Sequence, residues 1–328
     1  MSSHLAPVAL AALQAPVRPA LERVQRELRR IVEADFELIR EVNSHLLRMQ
    51  GKLFRPTILL LADQATGPSP RAVTLAATVE LIHLATLVHD DSVDHSVLRR
   101  GMPTINSLFS HQVSVIMGDY LYSRAVIELV RMGDMEPLRV LSRVTNEMTV
   151  GEMRQLLAHD PMQFSEEQYD LLIRAKTASL LSGAAECGAL DAPPEQRTAL
   201  RRFGELLGMA FQIVDDLLDY TEEEAVLGKP SGSDLREHKV TLPLIAALPR
   251  MDDAARRNVA ELLRTPDPAD DVIAEVIAAV AQVGGLEYAR DRAQRLGEQA
   301  DAELDRLPPS PARDALRASI TYVLDRRR

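Results

Sequence analysis

With 328 residues, 46% apolar and 26% charged, the chain can build a sizeable core and has the profile of a soluble globular protein. A net charge of −10 excludes a general nucleic-acid surface, so an anionic ligand would need local cations or a metal. The single Cys187 excludes an internal disulfide and fits a reducing, cytoplasmic setting.

Alanine, leucine, arginine and glutamate dominate, which favours helix. Residues 1–20 read as an N-terminal arm or a helix-pairing segment ahead of one domain over 21–328. No Lys or Arg precedes the apolar part of this arm and prolines interrupt it, which argues against a signal peptide. No uninterrupted apolar run approaches bilayer-spanning length, so no transmembrane segment is expected. Residues 18–48 carry apolar positions at three- and four-residue spacing, the pattern of one or two amphipathic helices. GKLFRP at 51–56 opens the next helix, with Pro56 suited to a first turn. GPSP at 67–70 ends it. A long helix over 71–94 leaves few solvent-facing positions. Further helices are expected at 105–132, 137–158, 166–188 and 197–220. A loop rich in Gly, Ser, Pro and charge follows, then TLPLIAAL returns to core. The remainder, 252–328, is amphipathic helix broken at TPDP, GG and LPPSP. No strand-like alternation stands out, so the fold class is all-α, with many helices round one core.

The chemistry gathers at two aspartate trios, Asp90/Asp91/Asp94 in VHDDSVD and Asp215/Asp216/Asp219 in VDDLLD. On a helix, positions i and i+4 share a face, so Asp90 pairs with Asp94 and Asp215 with Asp219. Carboxylates at a helix C-terminus oppose the helix dipole and repel one another unless a cation joins them. Oxygen-only ligands favour Mg²⁺, which takes one or two carboxylates and completes its shell with water and phosphate. One such trio is more often a solvated helix end; two, each ending a buried apolar helix, argue against that reading. His89–Asp90 also spells the HD pair of metal phosphohydrolases, but the remaining histidines do not supply the further ligands such enzymes need. Lys52, Arg55, Arg99, Arg100, Lys176, Lys229 and Lys239 bracket the trios and suit two anionic substrates.

GKLFRP at 51–56, ELIHLATLVHDDSVDHSVLRRG at 80–101, GDYLYSRA at 118–125, GEMRQL at 151–156, AKTASLL at 175–181, FQIVDDLLDY at 211–220 and GKPSGSDLREHKVTLPL at 228–244 follow in order. Together they resemble the trans-type polyprenyl (isoprenyl) diphosphate synthases, in particular bacterial octaprenyl diphosphate synthase-like members. The resemblance implies the isoprenoid synthase fold: antiparallel helices around a central apolar cavity, working as a homodimer. It also implies up to three Mg²⁺ ions. Asp90 and Asp94 would bind metal with Asp91 in support, and Asp215 and Asp219 would do so with Asp216 in support. Arg99, Lys176, Gln212, Lys229 and Lys239 would bind the allylic diphosphate. Thr177 and Gln212 would stabilise a developing carbocation. Lys52, Arg55, His83 and Arg100 would hold isopentenyl diphosphate. Leu53–Phe54 departs from the family's usual pair but leaves Lys52 and Arg55 in place.

The fifth and fourth residues before the first Asp gauge product length in this family. Here they are Ala85 and Thr86, both small, with Ile82 one turn deeper, which implies a product longer than C15. Two other readings compete. A class I terpene cyclase would share one aspartate motif, but the second complete trio and Lys52/Arg55/His83 argue against it. A non-catalytic subunit of a heteromeric synthase would carry degraded motifs, whereas both trios are whole.

Overall fold

The computed structural model describes residues 9–49, 51–156, 161–221 and 232–326, and nearly all of them are helical. A short helix α1 (Leu10–Gln14) and a 3₁₀ turn over Ala15–Val17 lead into α2 (Arg18–Ile31). Leu13 and Val17 are buried, so this stretch packs as helix into the core. Leu21, Val24, Leu28 and Ile31 form the buried stripe of α2 at the expected helical spacing. The chain breaks before α3 (Glu37–Arg48), and Asn43 Nδ2 donates to the Val32 carbonyl at 2.6 Å to hold the turn.

In α4 (Phe54–Thr66), residues 56 to 63 are all buried. Gly67, at φ 129°, ends it. The central element is α5 (Ala72–Val93), enclosed by α2, α4, α7 (His111–Arg131) and α10 (Ser179–Cys187). By length and composition α5 could cross a bilayer, as could a bent helix pair near the C-terminus taken as one span. That differs from the expectation of no span-length segment. Thr, His and Glu interrupt the apolar run without lowering its average enough, and the apolar faces of α5 are spent on neighbouring helices.

One two-stranded hairpin stands apart from the all-helical reading. β1 (Leu98–Arg99) pairs with β2 (Met102–Pro103), and two residues per strand are too short to show alternation in sequence. Arg100 and Gly101 form its turn at φ 52° and 74°, the paired positive values of a type I′ turn.

The expected 105–132 helix is split into α6 (Ile105–Leu108) and α7, whose N-cap Ser110 accepts from the Val113 N–H. Then come α8 (Met135–Leu156) and α9 (Glu166–Ile173), the latter opened by a Ser165–Gln168 capping box. A single π-helical turn, Arg174–Ala178, joins α9 to α10 where one unbroken helix was expected. The 28-residue α11 (Pro194–Thr221) is followed by α12 (Ser233–Arg236), α13 (Leu242–Ala247) and α14 (Asp253–Leu262). α15 (Asp270–Gln282), α16 (Gly285–Leu304) and α17 (Pro311–Leu324) complete the chain. α16 lies along α11, and α17 crosses α4, α11 and α16.

Candidate active site

The C-terminal end of α5 carries the first trio. Asp91 is buried, and Arg99 Nε donates to both of its carboxylate oxygens at 2.8 and 2.9 Å. Asp90 and Asp94 are left on the open side. Burial pushes the Asp90 carboxyl up to about 6; Glu152 and Asp94 add to the rise, while Lys176 and Arg99 oppose it. Those charges mark the neighbourhood: Asp90 stands among residues from α5, α8, the hairpin and the π turn. Lys176 Nζ is 2.6 Å from Glu152 Oε2 and donates to Gln155 Oε1 at 3.2 Å.

The second trio ends α11. Gly204 and Gly208 allow this helix to approach the π turn and α10 closely. A Cβ on Gly208 would lie 2.6 Å from Ala178 Cα, and one on Gly204 2.6 Å from the Leu181 carbonyl oxygen. The close approach brings Thr177 to Gln212. Thr177 Oγ1 donates to Gln212 Oε1 at 2.7 Å, Gln212 Nε2 donates to Asp216 Oδ1 at 2.8 Å, and Tyr169 Oη donates to Asp216 Oδ2 at 2.5 Å. Burial pushes the Asp216 carboxyl well above the usual range; Asp234 and Asp215 add to that, and the two hydrogen bonds oppose it. Asp219 Oδ2 accepts from the Asp234 N–H at 2.9 Å, and its carbonyl accepts from Gly232. Asp215 is the exposed member, with Arg326 Nη1 at 3.1 Å. Lys239 Nζ pairs with Glu237 at 2.6 Å. Burial works against its charge, but Glu237, Asp234 and Asp94 outweigh this and push its pKa up. The structure thus brings Lys239 into the field of the first trio. Lys229 lies outside the described residues.

A separate cationic cluster forms between α4, α5 and the hairpin. Arg55 Nη1 donates to His83 Nε2 at 3.0 Å. A guanidinium can only donate, so His83 accepts at Nε2 and is neutral. Burial, then Arg55, Arg100 and Arg99, hold its pKa well below the ordinary value. Arg100 Nη1 donates to the Met49 carbonyl at 2.8 Å and lies over Gly51, where a Cβ would come within 2.6 Å of Nη1. The I′ turn sends consecutive arginines apart: Arg99 goes to Asp91 and Arg100 to this cluster. Glu80 is buried beneath; burial raises its pKa, and Arg55 and Arg100 oppose the rise. Lys52 is exposed at the rim, and its carbonyl accepts from Gln14 Nε2 at 2.8 Å.

The polyprenyl synthetase family profile matches residues 36–280. The chain belongs to this family. It is 38% identical to octaprenyl diphosphate synthase of Escherichia coli over 87% of this chain and 89% of that protein. It is 39% identical to the all-trans-nonaprenyl-diphosphate synthase (geranyl-diphosphate specific) of Rhodobacter capsulatus, over 95% and 96%. The decaprenyl diphosphate synthase structure from Rhodobacter capsulatus superposes with a TM-score of 0.92 at 37% identity, covering 98% of this chain and all of that one. The polyprenyl synthase of Caulobacter crescentus, complexed with calcium and isoprenyl diphosphate, gives 0.92 at 32% identity, covering 98% of each. The expected isoprenoid synthase fold and prenyltransferase class are therefore established for this chain.

Within the family frame, Ala85 and Ile82 are buried on α5 and Thr86 is half-buried, its Oγ1 donating to the His83 carbonyl. Tyr122 Oη lies 3.4 Å from Thr145 Oγ1, joining α7 to α8. Among the described residues no three His, Cys, Asp or Glu groups already form a metal shell. The donor chemistry nonetheless fits a polyprenyl synthetase: Asp90 and Asp94 on one side and Asp215 on the other offer the few carboxylates that Mg²⁺ requires beside water and diphosphate. Four participants are given no role in the sequence reading: Glu80 and Glu152, which lie inside quoted motifs, and Tyr169 and Arg326, which lie outside them. Glu80 left one signal, a carboxylate inside an otherwise apolar helix.

Proposed function

We propose that this chain is a Mg²⁺-dependent trans-prenyltransferase that joins isopentenyl diphosphate to an allylic diphosphate. The product is an all-E polyprenyl diphosphate longer than C15, released with pyrophosphate. One observation carries the reading: Lys176 acts on Asp90 and Lys239 is felt by Asp94, while Arg55 and Arg100 form a second cationic cluster at His83 that Arg326 connects to Asp215. Two diphosphates can then be held at once with their chains meeting between them.

Asp90, Asp94 and Asp215 would hold up to three Mg²⁺ ions, with Asp219 completing the second side and Asp91 and Asp216 bound to protein partners that orient it. When bound, Mg²⁺ acts as a Lewis acid on the leaving diphosphate. Arg99, Lys176, Lys229 and Lys239 take the allylic diphosphate, the Arg by its fork and the lysines as point charges. Lys52, Arg55, His83 and Arg100 hold isopentenyl diphosphate. Gln212 Oε1 and Thr177 Oγ1 direct oxygen lone pairs towards the carbocation as the allylic C–O bond breaks. Attack by the isopentenyl double bond and loss of a proton to the departing pyrophosphate complete the step. The apolar wall around Ala85, Thr86 and Ile82 keeps water from the cation and accepts the growing chain. The names of the relatives, octaprenyl, nonaprenyl and decaprenyl synthases, support a long product.

The working unit is a cytoplasmic homodimer in this reading. Val115, Ile116, Ile127 and Val130 on α7 are exposed, a run that a second copy would cover. Purified protein incubated with Mg²⁺, isopentenyl diphosphate and a series of allylic primers tests the activity. Elongated diphosphates support the proposal; hydrocarbon release or no turnover overturns it. Sedimentation velocity tests the dimer.

A further inference from the structure

The end of α17 reaches both halves of the site. Tyr322 lies 5.7 Å from the Phe54 ring, and Phe54 stacks on Phe211 at 6.0 Å. The Arg326 guanidinium sits 4.6 Å from the centre of the Phe211 ring, within cation–π range. Phe54 adjoins Arg55, and Phe211 adjoins Gln212. Arg326 therefore rests on the aromatic group that links the two diphosphate regions. Its Nη1 is 3.1 Å from Asp215 Oδ1, and the Arg326 side chain is only 19% exposed against 50% for Asp215. Its charge is also felt at Arg100, on the opposite side. Arg326 Nε is buried with no hydrogen-bond partner, so the guanidinium keeps a donor in reserve.

We propose that Arg326 is a positioning residue, a built-in counter-ion that occupies Asp215 until a divalent cation displaces it. This rests on the reading of Asp215 as a metal carboxylate. A cation and a guanidinium cannot share that carboxylate without repelling each other, so metal arrival moves Arg326 off Oδ1. The aromatic contacts keep it nearby, between Asp215 and the Arg55–Arg100 cluster. The C-terminal segment thereby senses whether the second aspartate motif is loaded.

The competition is measurable without turnover. Free Mn²⁺ is followed by electron paramagnetic resonance while Mn²⁺ is titrated into protein with a fixed excess of inorganic pyrophosphate. Arg326→Gln removes the competitor, so the weakest Mn²⁺ step should tighten by about two- to fivefold, the range for a partly exposed ion pair. Arg326→Lys keeps a cation within reach of Asp215 and should stay near the wild-type affinity. Circular dichroism confirms that both variants are folded. Equal Mn²⁺ affinity in wild type and Arg326→Gln overturns the proposal, as does equal tightening in both variants. Asp215→Asn separates the two levels. Loss of one Mn²⁺ with no effect of Arg326→Gln overturns the counter-ion alone, whereas unchanged stoichiometry in Asp215→Asn overturns the metal reading of Asp215 and the counter-ion with it.

Discussion

The Tyr169 hydroxyl donates to Asp216 Oδ2 at 2.5 Å, and both groups are buried. This bond holds Asp216 away from the open side of its trio and leaves Oδ1 to fix the Gln212 amide. With its nitrogen committed to Asp216, Gln212 must present its oxygen to Thr177 and to the reacting carbons. Tyr169→Phe keeps the ring and removes only the hydroxyl. We expect kcat to fall by about tenfold or more as the amide loses its fixed direction, with KM for either substrate little changed. Stability should drop by about 1–3 kcal/mol, since a buried carboxylate oxygen loses its donor. Steady-state kinetics and urea denaturation check both; a wild-type kcat would remove the positioning role.

Asp90 lies with Asp94 on the open side of the first trio, and Asp215 is the exposed member of the second, facing Arg326. Asp90→Ala and Asp215→Ala should each lower turnover by at least about a hundredfold while leaving helix content intact. Product assays at saturating Mg²⁺ with far-ultraviolet circular dichroism test this. Near-normal rates in both would sink the metal-site argument.

The two trios were legible because their i, i+4 spacing at the ends of apolar helices is a local pattern. The division of labour within each trio was not, because Arg99 reaches Asp91 only through a hairpin and Tyr169 reaches Asp216 across 47 residues of chain. The hairpin itself was missed: its strands are two residues long, and its turn needs a non-glycine residue, Arg100, at positive φ. The long helices were legible from periodicity. The π turn at Arg174–Ala178 was not, since a one-turn change of pitch preserves the apolar pattern on either side.

Ala85 is buried on α5, about one helical turn below Asp90. If it lines the channel for the growing chain, Ala85→Phe places an aromatic plug there and shortens the product. Chromatography of the dephosphorylated products reads the length. An unchanged length distribution would mean that Ala85 does not face the chain. The substitution should also cost about 1–3 kcal/mol from overpacking, so product length is compared at equal folded concentration.

Gly208 and Gly118 offer a contrast. A Cβ at Gly208 meets Ala178 backbone at 2.6 Å, whereas one at Gly118 meets the tip of the His89 ring at 2.2 Å. Backbone cannot yield without moving the π turn; a ring can rotate away. Gly208→Ala should therefore cost about 2 kcal/mol or more and lower kcat by pulling Thr177 from Gln212. Gly118→Ala should cost less than about 1 kcal/mol. Paired denaturation curves decide it, and equal losses would contradict the argument.

Asp63 supplies a pH test away from the site. Burial lifts its carboxyl to about 6 from an ordinary 3.8; Asp191 adds to the rise, while the Ser69 N–H, which donates to Oδ1 at 2.8 Å, and Arg71 oppose it. A raised carboxylate holds its proton more tightly in the folded chain than in the unfolded one, so its contribution to stability falls as pH rises from about 4 to 6 and stays low above that. Asp63→Asn retains the acceptor for Ser69 and cannot ionise. At pH 8 it should stabilise the protein by about 1–3 kcal/mol, the upper end being two pKa units at 1.36 kcal/mol each. At pH 5, where the folded carboxyl is mostly protonated, the gain should shrink to roughly half. Thermal melts of both proteins at the two pH values measure the difference, and a gain of the same size at pH 5 and pH 8 would rule out ionisation of Asp63 as its cause.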